Sequence, residues 1–132
     1  MSKSKISNAY VLYGGAVIVA IGLIFFAANQ DKAPSIYDEF AQCLTEQGVT
    51  MYGAWWCPHC TNQKEAFGDA FDSVNYVECS SPGSRSMNST CQAAGIEGYP
   101  TWEFADGTRA SGEQDLEFLS EQAGCELPES VE

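Results

Sequence analysis

The spacing of apolar residues changes several times after residue 35, and each change predicts a different element. Apolar residues three and four positions apart, together with caps and stops, predict helices over 36–47, 57–71, 91–94 and 113–123. Short apolar runs predict strands over 49–55, 74–79, 101–104 and 108–111. The order α-β-α-β-α-β-β-α favours an α/β domain.

Cap and turn residues indicate where these elements begin and end. Ser35 has the position of an N-cap, Asp38 that of a capping-box partner, and Gly48 ends the first helix. Asp106-Gly107 predicts a hairpin between the last two strands. Buried stripes are expected on three helices, formed by Ile36, Phe40, Cys43 and Leu44, by Phe67 and Phe71, and by Leu116, Leu119 and Ala123.

A long apolar segment precedes this domain. Residues 10–28 contain no charged residue and as a helix would extend about 28 Å, close to the hydrocarbon thickness of a bilayer. A retained anchor is favoured over a cleaved signal peptide, because the run is long and Phe26 stands where cleavage needs a small residue. Either way the domain is expected outside the cytoplasm, and Lys3 and Lys5 orient the N-terminus inward.

The predicted organisation therefore has five parts. Residues 1–9 form a cytoplasmic tail, 10–28 a single-pass transmembrane helix, 29–35 a linker, 36–125 the folded domain and 126–132 an acidic tail. The folded domain would lie in a periplasm, at a cell surface or in a lumen.

Charge and cysteine content narrow the function classes. The net charge is −12 and all 18 acidic residues follow residue 30, so the domain repels phosphate backbones and no nucleic-acid partner is expected. Only 18% of residues are charged, which favours a simple solubilising surface over a halophilic coat. Six cysteines in so small a domain indicate a compartment where disulfides form.

One motif, Trp56-Cys57-Pro58-His59-Cys60, carries redox chemistry. Unpaired amide groups and the dipole at the start of a helix favour a thiolate at Cys57, and the thiolate is the attacking species. Cys60, one turn later, would resolve mixed disulfides. Pro58 suits the first helical turn, and His59 adds a donor or partial positive charge near Cys57. A stabilised thiolate favours the reduced form, so the Cys57–Cys60 disulfide is expected to act as an oxidant.

Pro100, preceded by Tyr99, has two interpretations. A trans proline would simply open the following strand. A cis proline would turn the Tyr99 backbone towards the thiols, where it could pair with an extended substrate. The Cys-x-x-Cys motif upstream favours the cis form.

The element order and these motifs resemble the thioredoxin superfamily, most closely the thioredoxin-like domain fused to bacterial vitamin K epoxide reductase homologues. The Cys-Pro-His-Cys motif is also similar to that of the periplasmic oxidase DsbA, although this chain is expected to lack the helical insertion of that protein. The resemblance rests on residues 40–45, 51–60, 77–80 and 95–102. It implies a thioredoxin-like fold, a central mixed sheet flanked by helices, behind the membrane helix.

The resemblance also implies roles for residues. Cys57 would be the nucleophile, Cys60 the resolving thiol, and Tyr99 and Pro100, with Trp56 beside them, the substrate-binding edge. Electrons would come from unfolded or reduced exported proteins. They would pass to a separate quinone-reducing membrane protein similar to vitamin K epoxide reductase or DsbB. No bound cofactor or metal is expected, only the redox-active disulfide. The buried acid and opening strand of thioredoxins are not identifiable in the sequence.

The other four cysteines are interpreted as structural. Cys79 ends a predicted strand and Cys91 begins a predicted helix, so a bridge between them would close the intervening loop and contribute about 3 kcal/mol. Cys43 and Cys125 pair only by elimination, and Cys43 as a buried free thiol is the alternative. With Cys57–Cys60 as one pair, three connectivities remain open.

The favoured function is a thiol–disulfide oxidoreductase that oxidises exported proteins. The same motif could serve a reductase or isomerase of exported disulfides. It could also serve a copper carrier that binds through Cys57, Cys60 and His59, since thiolates suit soft metals. A binding module with an inert disulfide is a further alternative, because a fold by itself does not establish a function.

Overall fold

The computed structural model describes residues 8–28 and 34–129, which belong to two compact units, 1–33 and 34–132. Within the first helix, side chains are described for residues 12–25. Most of the predicted linker, and parts of both predicted tails, lie outside the described residues.

The first unit contributes one helix, α1 (Asn8–Ala28), whose described side chains are exposed. In the part of the chain that the structure describes, no helix combines the length and the apolar character needed to cross a membrane. The transmembrane helix predicted at residues 10–28 is therefore not supported.

The second unit is a mixed α/β domain. Its elements are α2 (Asp38–Glu46), β1 (Thr50–Gly53), α3 (Pro58–Phe67), a 3-10 turn (Gly68–Ser73), β2 (Tyr76–Glu78), α4 (Ser89–Ala93), β3 (Thr101–Glu103), β4 (Arg109–Ser111) and α5 (Leu116–Ala123). The strands form one sheet in the order β2-β1-β3-β4. β1 is parallel to β2, whereas β3 is antiparallel to both β1 and β4. A mixed sheet flanked by helices fits the expected thioredoxin-like fold.

Aromatic packing fixes α3 against the sheet. Phe67, near the end of α3, stacks on Phe40 of α2 with ring centroids 5.8 Å apart, and its ring lies 6.1 Å from that of Trp102 on β3. All three side chains are fully buried, and burial of each contributes about 1.5–3 kcal/mol. Cys57 and Cys60 belong to the same core cluster, so the packing that holds α3 also positions the two thiols.

Two helix boundaries differ from the predictions, because a glycine ends one helix early and a side-chain cap starts another early. α3 ends at Phe67, not at Phe71, because Gly68 has a φ of 58°, and a 3-10 turn follows. α4 begins at Ser89 because the Asn88 side chain caps it.

The closing helix also starts later than predicted. The Asp115 carboxylate accepts the N–H of Phe118 at 2.7 Å, so α5 begins at Leu116 instead of residue 113. Its buried stripe contains Leu119, which is fully buried, and Leu116 and Ala123, which pack against the core from partly buried positions.

The predicted start of α2 is only half right. The Asp38 carboxylate accepts the N–H of Ser35 at 2.8 Å, as a capping-box partner would. The Ser35 hydroxyl, however, accepts from Tyr37 at 3.3 Å, and the helix begins at Asp38. Ile36 precedes the helix and is 52% exposed, so its predicted place in the buried stripe is wrong.

Two disulfides join distant parts of the domain. Cys43 of α2 bonds to Cys125, which directly follows the stop of α5, and their Cα atoms are 5.8 Å apart. Cys79 bonds to Cys91 of α4 across 5.5 Å and closes the loop after β2. These are the two pairs set out from the sequence.

The two disulfides should contribute unequally to stability. Chain entropy assigns about 4.5 kcal/mol to Cys43–Cys125, with a sequence separation of 82, and about 3 kcal/mol to Cys79–Cys91, with a separation of 12. Replacing each pair by alanine in the full chain should therefore lower the free energy of unfolding more for the first pair. Urea unfolding without reductant measures both losses. A larger loss for Cys79–Cys91 would show that chain entropy does not set the order.

Candidate active site

The turn from β1 into α3 places the first cysteine at a helix N-terminus. The Cys57 N–H donates to the carbonyl of Ala54 at 3.0 Å, which closes the turn, and Pro58 occupies the first helical position. Cys57 is the N-cap, and its Sγ accepts the N–H of Cys60 at 3.4 Å. An amide without a partner inside the helix thus points at the sulfur, where it stabilises negative charge.

Cys60 lies deeper than Cys57. The two residues are 1% and 5% exposed, and both are free thiols in the structure, which therefore shows the pair reduced. Burial, with a further contribution from the neighbouring Cys57, raises the pKa of Cys60 from 9.0 to about 12. Cys60 is consequently a thiol at neutral pH and must lose a proton before it can attack.

The peptide bond between Tyr99 and Pro100 is cis and faces the thiols. The Cys57 thiol donates to the Tyr99 carbonyl at 3.7 Å. The Pro100 carbonyl accepts the N–H of Gly112 at 2.8 Å, which continues the pairing of β3 with β4. The structure therefore brings Tyr99 and Pro100 next to Cys57.

Aromatic side chains form a rim beside Cys57. The Trp56 ring meets Tyr99 edge-on with centroids 5.9 Å apart, and the Arg85 guanidinium lies 5.7 Å from the Trp56 ring. Trp55 is 58% exposed. Arg85 was not among the predicted site residues, because the Cys79–Cys91 loop that carries it has no recognisable motif.

His59 turns towards the surface. Its side chain is 67% exposed, and its Nδ1 lies 2.5 Å from Glu113 Oε1, which also accepts from Asn62 at 3.0 Å. The bond to His59, followed by that from Asn62, lowers the pKa of Glu113. Among the described residues His59 forms no hydrogen bond with Cys57, so it could act on the thiol only through its charge.

Buried Gln63 holds the Glu113 loop against α3. Its Oε1 accepts the N–H of Gln114 at 2.7 Å and the indole N–H of Trp102 at 3.3 Å. Its Nε2 donates to the carbonyl of Gln114 at 2.9 Å. The Gln63 side chain therefore forms hydrogen bonds with both the N–H and the carbonyl of Gln114, which keeps the neighbouring Glu113 beside His59.

A hydrogen-bonded pair near Cys60, Tyr76 and Glu78, was not predicted from the sequence. The Tyr76 hydroxyl donates to Glu78 Oε2 at 2.8 Å, and Glu78 Oε1 accepts the N–H groups of Trp55 at 3.2 Å and Ser80 at 2.8 Å. Burial alone would raise the pKa of Glu78, but these three hydrogen bonds outweigh it and lower the pKa. A signal existed, because Tyr76 and Glu78 alternate along a strand and therefore share one face of it.

The two active-site thiols should differ in reactivity. With Cys60 replaced by serine, Cys57 should react readily with iodoacetamide at pH 8. With Cys57 replaced by serine, Cys60 should react at least about tenfold more slowly, because a buried thiol with a pKa of about 12 is protonated at that pH.

Mass spectrometry of the labelled peptides measures both rates. The rate for Cys60 should keep rising as pH increases towards 12, since the thiolate is the reacting form. Equal rates at pH 8 would contradict the assignment of Cys57 as the accessible nucleophile.

Comparison with known proteins supports a redox interpretation of this geometry. No family model matches the chain. The chain is 39% identical over 117 residues to the thiol-disulfide oxidoreductase LTO1 of Arabidopsis thaliana, an alignment that covers 85% of this chain. The chain spans about a third of the length of that relative, 31%. The likeness supports oxidoreductase activity and a relationship with the thiol–disulfide oxidoreductases.

Proposed function

We propose that this chain is a thiol–disulfide oxidoreductase whose Cys57–Cys60 disulfide oxidises protein thiols. The observation that carries the proposal is the environment of Cys57 Sγ. It lies 3.4 Å from the N–H of Cys60 at the start of α3 and 3.7 Å from the carbonyl beside cis Pro100. These two contacts put the Cys57 sulfur between a helix N-terminus and a backbone edge.

In the proposed reaction a substrate thiolate attacks Cys57 Sγ in the disulfide form, and Cys60 leaves. A second substrate thiol then attacks the substrate sulfur of the mixed disulfide and releases Cys57. Two electrons and two protons pass from the substrate to the cysteine pair. The Cys60 amide stabilises the released Cys57 thiolate, which favours the oxidising direction.

The substrates are proposed to be unfolded or reduced exported proteins. An extended chain could align along the Tyr99 backbone while the exposed indole of Trp55 and the Trp56 ring contact its apolar side chains. Two structural disulfides in the domain support an oxidising compartment outside the cytoplasm, in a periplasm, at a cell surface or in a lumen.

Each cycle leaves the pair reduced, so an electron acceptor must reoxidise it. We propose a quinone-reducing membrane protein similar to vitamin K epoxide reductase or DsbB. This proposal rests on the resemblance of the active-site and proline motifs described from the sequence.

Disulfide transfer to reduced ribonuclease A tests the function. The oxidised full-length protein should restore ribonuclease activity, and Cys57→Ala should lower the rate at least about 100-fold because the nucleophile is lost. Cys60→Ala with its Cys57 preloaded as an aromatic mixed disulfide should form a covalent adduct with the substrate, visible on a non-reducing gel. Cys57→Ala is the matched control and should form none.

The reduction potential of the pair separates the alternatives. A value above about −270 mV, that of thioredoxin, favours the oxidase, and a lower value with active transfer favours a reductase. A reduction potential below about −300 mV, together with no adduct on the gel, would overturn the proposal in favour of an inert disulfide. Stoichiometric copper that blocks alkylation of both thiols would overturn it in favour of a carrier.

A further inference from the structure

Cys60 needs a route for its proton. The proposed reaction makes and breaks its S–S bond in every cycle, so its sulfur must alternate between bonded and protonated states. Its side chain is 1% exposed, which leaves bulk water little access to the thiol. Some neighbouring group must therefore carry the proton.

The Tyr76 hydroxyl is one such group, because it lies beside the same backbone position, Gly53, as the Cys60 thiol. Tyr76 Oη and Cys60 Sγ lie 3.0 and 3.1 Å from the position that a Cβ atom at Gly53 would occupy. Since Gly53 has no side chain, the hydroxyl and the thiol share that space. Any larger residue at this position would separate them.

The Tyr76 hydroxyl continues to a carboxylate near the surface. It donates to Glu78 Oε2 at 2.8 Å, which leaves its oxygen lone pairs available to Cys60. Glu78 is partly exposed and is fixed by the N–H groups of Trp55 and Ser80 on its other oxygen. Protons can therefore pass between Glu78 and solvent without movement of the backbone.

The charged groups around Tyr76 favour proton transfer through its hydroxyl. The Lys64 ammonium lies 3.8 Å from the centroid of the Tyr76 ring, where it favours negative charge that develops beneath it. Burial and the Glu78 carboxylate raise the pKa of Tyr76, so its hydroxyl keeps a proton to relay. Cys57 acts electrostatically on Tyr76, and Glu78 acts electrostatically on Tyr99, but the described residues show no hydrogen bond from Cys57 or Tyr99 to Glu78.

We propose that Tyr76 and Glu78 form the proton path of Cys60, an inference that rests on the proposed function. When Cys60 resolves a mixed disulfide, its proton passes to Tyr76 Oη while the Tyr76 proton passes to Glu78. The Cys60 sulfur then bonds to Cys57 Sγ, the bond between Cys57 and the partner sulfur breaks, and the partner leaves as a thiolate. Cys60 is thereby oxidised and the partner sulfur reduced, and Glu78 releases the proton to solvent. When a substrate opens the Cys57–Cys60 disulfide, a proton returns along the same path.

A two-phase reaction with an aromatic disulfide reagent isolates this step. In the full-length protein with the Cys57–Cys60 pair selectively reduced, Cys57 attacks first and releases one thionitrobenzoate ion. Cys60 then resolves the adduct and releases a second. Stopped-flow absorbance resolves the two rates, and Cys60→Ala should show only the first phase.

Tyr76→Phe should slow the second phase about tenfold or more and leave the first unchanged, because it removes only the relaying hydroxyl. Its second-phase rate should also become proportional to hydroxide concentration, since solvent base would replace the relay. Glu78→Gln retains an oxygen that can accept the Tyr76 hydrogen bond but cannot take up the proton, so it should slow the same phase. Tyr52→Phe on β1 is the matched control. Tyr52 packs with Cys79, Cys91 and Ile96 instead of the thiols, and both phases should stay normal.

Second phases at the wild-type rate in both Tyr76→Phe and Glu78→Gln would overturn the path, even though disulfide transfer remained intact. A slow Tyr76→Phe with a normal Glu78→Gln would overturn it as well, because the hydroxyl would then act without passing a proton to Glu78. If Tyr76→Phe loses the first phase through misfolding, Glu78→Gln decides alone. Absence of a second phase in the wild-type protein would instead refute the proposed function.

Discussion

The position at which α3 begins is the constraint on which the site depends. The chain leaves β1 at Gly53 and enters the helix at Pro58, so only a short turn separates the central strand from the N-cap Cys57. Amides at the start of a helix have no carbonyl partner within it, and here one of them meets a sulfur. A shift of the helix by one residue would move the sulfur away from both this amide and the Tyr99 carbonyl. The aromatic core around Phe67 and the Gln63 contacts hold the helix in place.

Much of the fold could be predicted from the sequence because its signals are local. The order of helices and strands follows from apolar spacing, and it gives the mixed sheet found in the structure. The end of α3 could not be read in the same way. Phe67 and Phe71 continue helical spacing across Gly68, and only the left-handed backbone of that glycine shows that the helix stops between them. Similarly, Ile36 fits a helical stripe although α2 begins after it.

The site residues also differ in whether local sequence signals identify them. Cys57, Cys60 and Pro100 belong to short motifs that carry their own physical meaning, so sequence reasoning can select them. Glu113 and Arg85 reach the site only through folding, from loops that are distant in sequence and carry no motif. Tyr76 and Glu78 are an intermediate case, since their alternation on β2 is visible but their position under Cys60 requires the pairing of β2 with β1. The long uncharged segment predicted a membrane span, and among the described residues no helix has the length and apolar character to cross a membrane.

At Gly53 the proposed proton transfer and the stability of strand β1 favour different residues. Glycine in a strand costs about 0.5–1 kcal/mol relative to alanine, because the unfolded chain has more freedom to lose. A methyl group there would lie 2.7 Å from a ring carbon of Tyr76, well inside van der Waals contact. Strand β1 thus accepts a local weakness at a position close to the buried thiol. A redesign that strengthened this strand would fill the space that Tyr76 and Cys60 share at Gly53. Strand stability and proton transfer therefore require different residues at this position.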